Sequence, residues 1–88
     1  MWKVEIDRAA QRDLKKIDYG AARRIANFIN GRVAKLDDPR SIGEALTGPR
    51  FGHLWKYRVG DYRIIADIQD GLVRIVVVKI GHRGDVYD

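Results

Sequence analysis

The stretch LWKYRVGDYRI, residues 54–64, reads as two short strands joined by Gly60-Asp61, a pair that is favoured in two-residue hairpin turns. In such a hairpin Arg58 lies directly opposite Arg63. Because side chains alternate along a strand, one face carries the aromatic and aliphatic residues and is predicted to be the core face. The other face carries both arginines and Lys56. Since opposed like charges destabilise a strand pair, this pattern indicates either a solvated outer face or an anion that binds there.

The N-terminal part of the chain predicts one strand and two helices. Residues 2–6 alternate apolar and polar side chains, which is typical of a short strand. Asp7 and Asp18 are suited to cap two successive helices. In the second helix the apolar residues keep helical spacing through Leu36, so one long amphipathic helix is predicted across Asn30-Gly31.

The C-terminal half predicts the sheet. A glycine-rich loop over residues 40–53 precedes three strands, over residues 53–59, 62–68 and 72–80. A second two-residue turn at Asp70-Gly71 sets Asp67 opposite Arg74, and this register leaves the cations of the first hairpin without a carboxylate. One domain over residues 1–88 is expected. Its class is α+β, in the order β-α-α-β-β-β, with two N-terminal helices on one face of a mainly antiparallel four-stranded sheet.

Composition limits the class of function. The chain has 88 residues, no cysteine and a net charge of +5. A disulfide, a thiolate metal site and a cysteine nucleophile are therefore excluded. No apolar run is long enough to span a membrane and the charged start MWKVEIDR is unlike a signal peptide, so a cytoplasmic location is expected. The basic balance favours an acidic partner such as nucleic acid, an anionic membrane surface or an acidic protein.

The last predicted strand runs into GHRGDVYD, residues 81–88, where three chemically useful side chains fall close together in sequence. His82, Arg83 and Tyr87 are residue types that transfer a proton, bind a phosphate and stack on a base, respectively. A histidine at the end of a strand is more often a surface residue, and a tyrosine near the terminus more often packs. Both interpretations stay open from the residues alone.

Two motifs taken together resemble a known family. LWKYRVGDYRI followed by VVVKIGHRGDVYD is similar to the RelE branch of the RelE/ParE superfamily, the toxins of type II toxin–antitoxin pairs. The similarity covers nearly the whole chain, including LDDPR at the predicted helix end and a Leu-x-Gly turn at residues 46–48. It implies a small RNase-like fold that enters the ribosomal A site and cuts mRNA, and a cognate antitoxin that wraps the toxin. It implies neither a membrane partner nor a metal or small-molecule cofactor.

The resemblance also assigns site residues. Four residues match the family's catalytic positions in the second and third strands, after the last strand and at the terminus: Lys56, Arg63, Arg83 and Tyr87. His82 is the alternative proton carrier, because some members have a histidine beside the arginine that Arg83 matches. One position departs from the pattern, since Leu54 stands where the best-known member has a further lysine.

Cleavage of RNA without a metal needs a base for the 2′-OH, cations for the phosphorane and an acid for the 5′ oxygen. Arg63 and Arg83 are the candidate cations, and neighbouring positive charge favours the proton-accepting form of Lys56, the candidate base. Further RNA contacts are expected from three residues near these: Arg50, His53 and Arg58. Two other functions stay open, namely ParE-type poisoning of DNA gyrase and a non-catalytic basic interaction module such as a decayed toxin.

Overall fold

The computed structural model describes residues 1–86, and two helices cover one face of a mixed five-stranded sheet. The helices are α1 (Arg8–Lys16) and α2 (Tyr19–Gly31). The strands are β1 (Lys3–Ile6), β2 (Glu44–Ala45), β3 (Leu54–Val59), β4 (Tyr62–Gln69) and β5 (Arg74–His82). Their order is β1-β5-β4-β3-β2, with β1 parallel to β5 and the other pairs antiparallel. The predicted α+β class is confirmed, and the two-residue β2 adds a fifth strand to the four predicted.

Both helices begin at an aspartate, as predicted. Asp7 accepts a hydrogen bond from the backbone N–H of Ala10 at 2.9 Å, and Asp18 accepts one from Ala21 at 2.7 Å. Each carboxylate thereby satisfies an N–H group that has no partner inside its helix. Among residues 1–86, no helix combines the length and the apolar character that crossing a membrane requires.

The second helix is shorter than the sequence predicts. α2 ends at Gly31, and residues Val33–Lys35 form a 3-10 turn instead of continuing the helix to Leu36. Glycine has low helix propensity, which explains why the chain leaves the helix there. Val33 and Ala34 are nevertheless buried in the turn. The apolar spacing therefore continues past the point where the helix stops.

The first hairpin has the predicted register. Arg58 pairs with Arg63, and Val59 pairs with Tyr62 next to the turn. Gly60 lies in the turn with φ of 58°, a left-handed conformation that glycine adopts without steric cost. Tyr57, Ile64 and Ala66 are buried under the helices, so the predicted core face is confirmed.

The second hairpin differs from its prediction. Asp70–Leu72 form a 3-10 turn and Val73 takes a left-handed φ of 48°, so the connection is longer than two residues. As a result Asp67 lies opposite Val76, and Arg74 pairs with Gln69. The prediction that Asp67 lies opposite Arg74 is therefore wrong.

A bulge in the ladder moves the register again. It lies opposite Ile65 and Ala66 of β4, where Val78 is the extra, unpaired residue of β5, and beyond it Arg63 lies opposite Gly81. Arg74 finds other partners, because its guanidinium donates to Gln69 at 2.8 Å and to Glu5 at 3.2 Å. Bulges re-aim the side chains around them. This one brings a glycine, which has no side chain, beside Arg63.

The main core lies between the helices and the sheet. Ile25 and Ile29 of α2 pack there against aliphatic residues of β4 and β5, among them Ile64, Ile75 and Val77. Tyr57 is buried in the same core and donates its hydroxyl hydrogen to the Pro39 carbonyl oxygen. These contacts fix the strands that carry the site residues.

Candidate functional site

The face of the sheet away from the helices, which we call the open face, carries the side chains of Leu54, Lys56, Arg58, Arg63 and Ile65. A second, smaller apolar cluster forms on it from Leu54, Ile65 and Val86, with Leu46, Phe51 and Val78 packed against the cluster. The loop before β3 and the residues after β5 thus cover part of this face. Lys56, Arg58 and Arg63 lie on the part of the open face that this cluster leaves uncovered.

Arg63 is the buried cation of the open face, and its side chain is held by the β3–β4 turn. The residue is 8% exposed. Its Nη1 donates to the carbonyl oxygens of Gly60 at 3.2 Å and Tyr62 at 3.0 Å. Its Nε is buried and has no hydrogen-bond partner among the described residues. A buried donor without an acceptor is costly, so a phosphate oxygen that reached this nitrogen would stabilise the side chain.

The same turn also positions Arg83. The carbonyl oxygen of Asp61, which lies between the two carbonyls that receive Arg63, accepts the backbone N–H of Arg83 at 2.8 Å. The side chain of Arg83 is exposed. Three consecutive carbonyl oxygens of one turn therefore hold the guanidinium of Arg63 and the backbone of Arg83.

Arg58 is neutralised by a residue that the sequence analysis missed. Its Nε lies 3.1 Å from Oε1 of Glu44 in an exposed ion pair. Glu44 belongs to β2, where it pairs with Lys56 across the sheet. The expectation that Arg58 lacks a carboxylate is therefore wrong, because two residues are too few to show a strand pattern. The opposed Arg58 and Arg63 are tolerated since one meets Glu44 and the other meets backbone oxygens.

Lys56 lies on the open face, one alternation along β3 from Arg58. It is half-buried and pairs across the sheet with Ile65, whose side chain is fully buried in the open-face cluster. Lys56 is therefore on the same side of the sheet as Arg63.

His82 lies on the other side of the sheet. It pairs with Tyr62, and the centres of the two rings are 4.4 Å apart. Tyr62 packs against the helix-covered core. A cleft of about 370 Å³ lies beside His82, bounded also by Asp13, Lys16 and Lys79. The structure therefore separates His82 from Lys56 and Arg63.

The residues after β5 return across the open face. Val86 is buried in the cluster there. A Cβ atom at position 81 would lie 2.8 Å from Cγ2 of Val86, so only glycine allows this approach. Gly81 pairs with Arg63. The predicted strand ended before Gly81, whereas β5 continues to His82, and the close approach carries no local sequence signal. Tyr87 lies outside the described residues.

The two predicted RNA-binding residues of the loop before β3 are exposed. The guanidinium carbon of Arg50 lies 5.6 Å from the centre of the Phe51 ring, and Phe51 packs against the open-face cluster. His53 directly precedes β3. Both residues therefore flank the open face. Within residues 1–86, no three His, Asp or Glu side chains gather in a way that would hold a metal ion.

A small α+β fold with a cationic open face is typical of a protein that binds an acidic partner, and comparison with known proteins identifies the family. The family model described as the ParE toxin of the type II toxin–antitoxin system parDE matches residues 4–87. The chain is 31% identical to Toxin RelE of Mycobacterium tuberculosis over 86 residues, which are 98% of this chain and 86% of that protein. The chain belongs to the RelE/ParE superfamily of type II toxins. Within that superfamily it belongs to the RelE branch.

Solved structures agree with this assignment. The toxin–antitoxin complex RelBE2 of Mycobacterium tuberculosis matches with a TM-score of 0.84 and 25% identity, over 96% of this chain and 93% of the matched chain. The archaeal RelE–RelB complex of Pyrococcus horikoshii matches with a TM-score of 0.71 and 24% identity, over 97% and 98% of the two chains. The RelE-like fold that the sequence predicts is confirmed.

Proposed function

We propose that this toxin is an mRNA endoribonuclease that acts in the ribosomal A site and so inhibits translation. The observation that carries the proposal is the state of Arg63. Its guanidinium is nine-tenths buried on the open face, is anchored through Nη1 and keeps a buried Nε without an acceptor. A phosphodiester supplies the missing acceptor and the counter-charge together.

The open face provides the groups for 2′-OH attack on the adjacent phosphate. Lys56 removes the proton of the 2′-OH, and the 2′ oxygen attacks phosphorus. Arg63 and Arg83 bind the oxygens on which negative charge accumulates. The bond to the 5′ oxygen breaks as that oxygen takes up a proton, which leaves a 2′,3′-cyclic phosphate and a 5′-OH. Tyr87 is proposed to stack on a base, and Arg50, His53 and Arg58 to bind adjacent parts of the mRNA.

Lys56 is preferred to His82 as the base because of side-chain direction. Lys56 shares a face with Arg63, whereas the His82 ring lies against Tyr62 on the helix-covered face. A base must come within hydrogen-bond distance of the 2′-OH whose phosphate the arginines bind. For His82 to do so, its side chain would have to cross the sheet edge.

A cognate antitoxin is proposed as the protein partner. Two similar solved chains come from complexes of a toxin with its antitoxin. An acidic or amphipathic segment that covered the open face would neutralise its cations and block access to Arg63. Translation should then be restored at a fixed ratio of antitoxin to toxin. No rescue by the product of any adjacent gene would count against this pairing.

The test of the proposed activity is expression of the toxin alone, followed by mapping of mRNA 5′ ends. Growth should stop with translation, and new 5′-OH ends should appear inside translated codons. Purified ribosomes programmed with mRNA should give the same cuts, and mRNA without ribosomes should stay intact.

A second function is favoured by one finding, since the matching family model is described as a ParE toxin. This alternative is inhibition of DNA gyrase. Intact mRNA with accumulating DNA breaks after induction would establish it and would overturn the proposed cleavage. The absence of both mRNA cuts and DNA breaks after induction would indicate a non-catalytic interaction module.

A further inference from the structure

The excess of positive over negative charge lies in the helical part of the chain. Residues 7–35 carry eight Lys or Arg and three Asp, which is a net charge of +5, and the remaining residues carry nine of each sign. The net charge of the whole protein is also +5. The part that includes the candidate site is therefore neutral overall, and the excess belongs to the segment of α1 and α2.

The cations of the two helices are exposed and lack acidic partners. Six of them form what we call the helical surface: Arg8, Arg12, Lys15, Lys16, Arg23 and Arg24. In the described part of the chain, none of these six forms an ion pair. The three aspartates nearby are engaged elsewhere. Asp7 and Asp18 cap helices, and Asp13 accepts the backbone N–H of Ile80 at 2.9 Å and lies 4.0 Å from Lys79.

The composition of the helical surface fits a nucleic acid better than a protein. Stable protein interfaces have an apolar core and few charged residues at their centre. On α1 and α2, among the described residues, Tyr19 is the only exposed large hydrophobic side chain, and the guanidinium of Arg23 lies 5.9 Å from its ring centre. Six exposed cations without ion pairs among the described residues, with almost no apolar surface beside them, match the phosphate backbone of a nucleic acid.

We propose that the helical surface binds the phosphate backbone of folded RNA, on the side of the sheet opposite to the candidate site. The toxin would then hold RNA at two separate places, one on each side of the sheet. The choice of RNA over DNA rests on the proposed function, whereas the binding of a polyphosphate backbone rests on the charge distribution alone. Such contacts position the protein without reading sequence.

The test compares two triple variants that remove the same charge from different places. Arg12→Gln/Arg23→Gln/Arg24→Gln changes the helical surface, and glutamine retains helix propensity. The control changes three cations outside it: Lys3→Gln/Arg40→Gln/Arg74→Gln. Because Arg40 and Arg74 have acidic partners, the control leaves carboxylates unpaired. It would thus disfavour RNA at least as strongly if only net charge mattered.

The measurement is binding of a double-stranded RNA hairpin of fixed sequence, without ribosomes, as a function of salt. Each phosphate contact contributes about 0.7–0.9 to the slope of log K against log salt, so the helical variant should lose about 2–3 from the slope. Its affinity at about 0.1 M salt should fall by about tenfold or more, and the control by less than about threefold. Circular dichroism should show both variants folded.

The outcomes separate this proposal from the proposed nuclease. Equal losses in the two variants, or no loss in the helical variant, would overturn it. Lost antitoxin binding with unchanged RNA binding would also overturn it and would assign the surface to an acidic protein. If the helical variant lost the same affinity and salt dependence for a DNA duplex, the surface would bind phosphate backbones in general and the assignment to RNA would be wrong. If the wild-type toxin cuts no mRNA but the helical variant still loses RNA binding, the proposed nuclease fails and the helical surface stands.

Discussion

The two faces of the sheet are covered in different ways, and the difference separates the face that stabilises the fold from the face that we propose binds RNA. The helix-covered face buries large aliphatic side chains completely, among them Ile64 at 0% exposure. The open face has a smaller cluster, covered by a loop and by the residues after β5, and it carries Lys56 and Arg63. Neighbours in sequence such as Arg63 and Ile64 therefore have different roles. Because side chains alternate along a strand, a proposed phosphate-binding residue can directly precede a well-packed core residue.

The largest expected effect concerns the base. Lys56→Ala should lower the rate of mRNA cleavage by about 10²–10⁴, because loss of a general base has effects of that size. His82→Ala, on the other face, should change it by less than about tenfold. Single-turnover cleavage on programmed ribosomes measures both. A larger loss in His82→Ala, with a wild-type rate that titrates near pH 6–7, would reverse the assignment.

The next effect separates two adjacent residues of β4. Arg63→Ala should lower cleavage by about 10²–10³, since it removes a donor aimed at the phosphorane, and the protein should remain folded. Ile64→Ala should lower the free energy of unfolding by about 2–5 kcal/mol through the cavity it leaves. The molecules of that variant that stay folded should cleave normally. Urea denaturation and cleavage assays on both variants test the contrast.

A control for charge is available at Arg74. This residue donates to Glu5 and Gln69 and takes no part in the proposed site. Arg74→Ala should lower stability by at most about 1 kcal/mol, as expected for a partly exposed pair, and should leave cleavage unchanged. Loss of cleavage in Arg74→Ala as large as in Arg63→Ala would mean that the loss reflects net charge and not the open face.

The helix-covered face should also give the protein an alkaline limit. Burial raises the pKa of Tyr57 to about 12, above its ordinary value of 10. The folded protein thus holds this proton more tightly than the unfolded chain does, and the free energy of unfolding should fall as pH rises from about 10 towards 12. A shift of this size corresponds to about 2–3 kcal/mol in total.

Phenylalanine variants isolate this contribution. Tyr57→Phe should lower the free energy of unfolding by about 1–3 kcal/mol at neutral pH, because the Pro39 carbonyl is left without its donor. Between pH 9 and pH 11, however, the stability of this variant should decline less than that of wild type. Tyr19→Phe is the matched control, since Tyr19 is 77% exposed. It should keep the wild-type pH dependence. An unchanged decline in Tyr57→Phe would show that other groups cause it.

The smallest effect concerns the turn that holds the two arginines. Gly60 has φ of 58° and Gly48 has φ of 94°, and each has open space where a Cβ would stand. Alanine at either position should therefore lower the free energy of unfolding by about 1–2 kcal/mol, through backbone strain alone. Only Gly60→Ala should also lower cleavage, by about three- to tenfold, because it moves the carbonyls that position Arg63. Equal cleavage by Gly60→Ala and Gly48→Ala would show that the turn does not position Arg63.

Local patterns predicted what depends on nearby residues. The aspartate caps and the register of the first hairpin follow from short motifs, and the structure confirms them. The second hairpin was mispredicted because Val73 adopts a left-handed conformation that β-branched residues rarely take. No pattern in the sequence predicts this backbone conformation at Val73.

The candidate site shows the same limit. Alternation along β3 and β4 places Lys56 and Arg63 on one face, so this part of the site can be derived from the sequence. The ion pair of Arg58 with Glu44 joins residues on either side of the loop before β3, and the approach of Val86 to Gly81 requires the residues after β5 to fold back over the open face. The position of His82 depends on a bulge in β5. These contacts arise only when the whole chain has folded.

The position of β5 has a consequence for when the toxin forms. β5 lies between β1 and β4, yet it is the last of the five described strands to be synthesised. Lys3 of β1 therefore has no sheet partner until Arg74 of β5 has been made. Pairing between such distant segments is a slow step in folding. A nascent chain that lacks β5 has neither a closed core nor Arg83. The ribosome therefore makes most of this polypeptide before any part of it can act as a toxin.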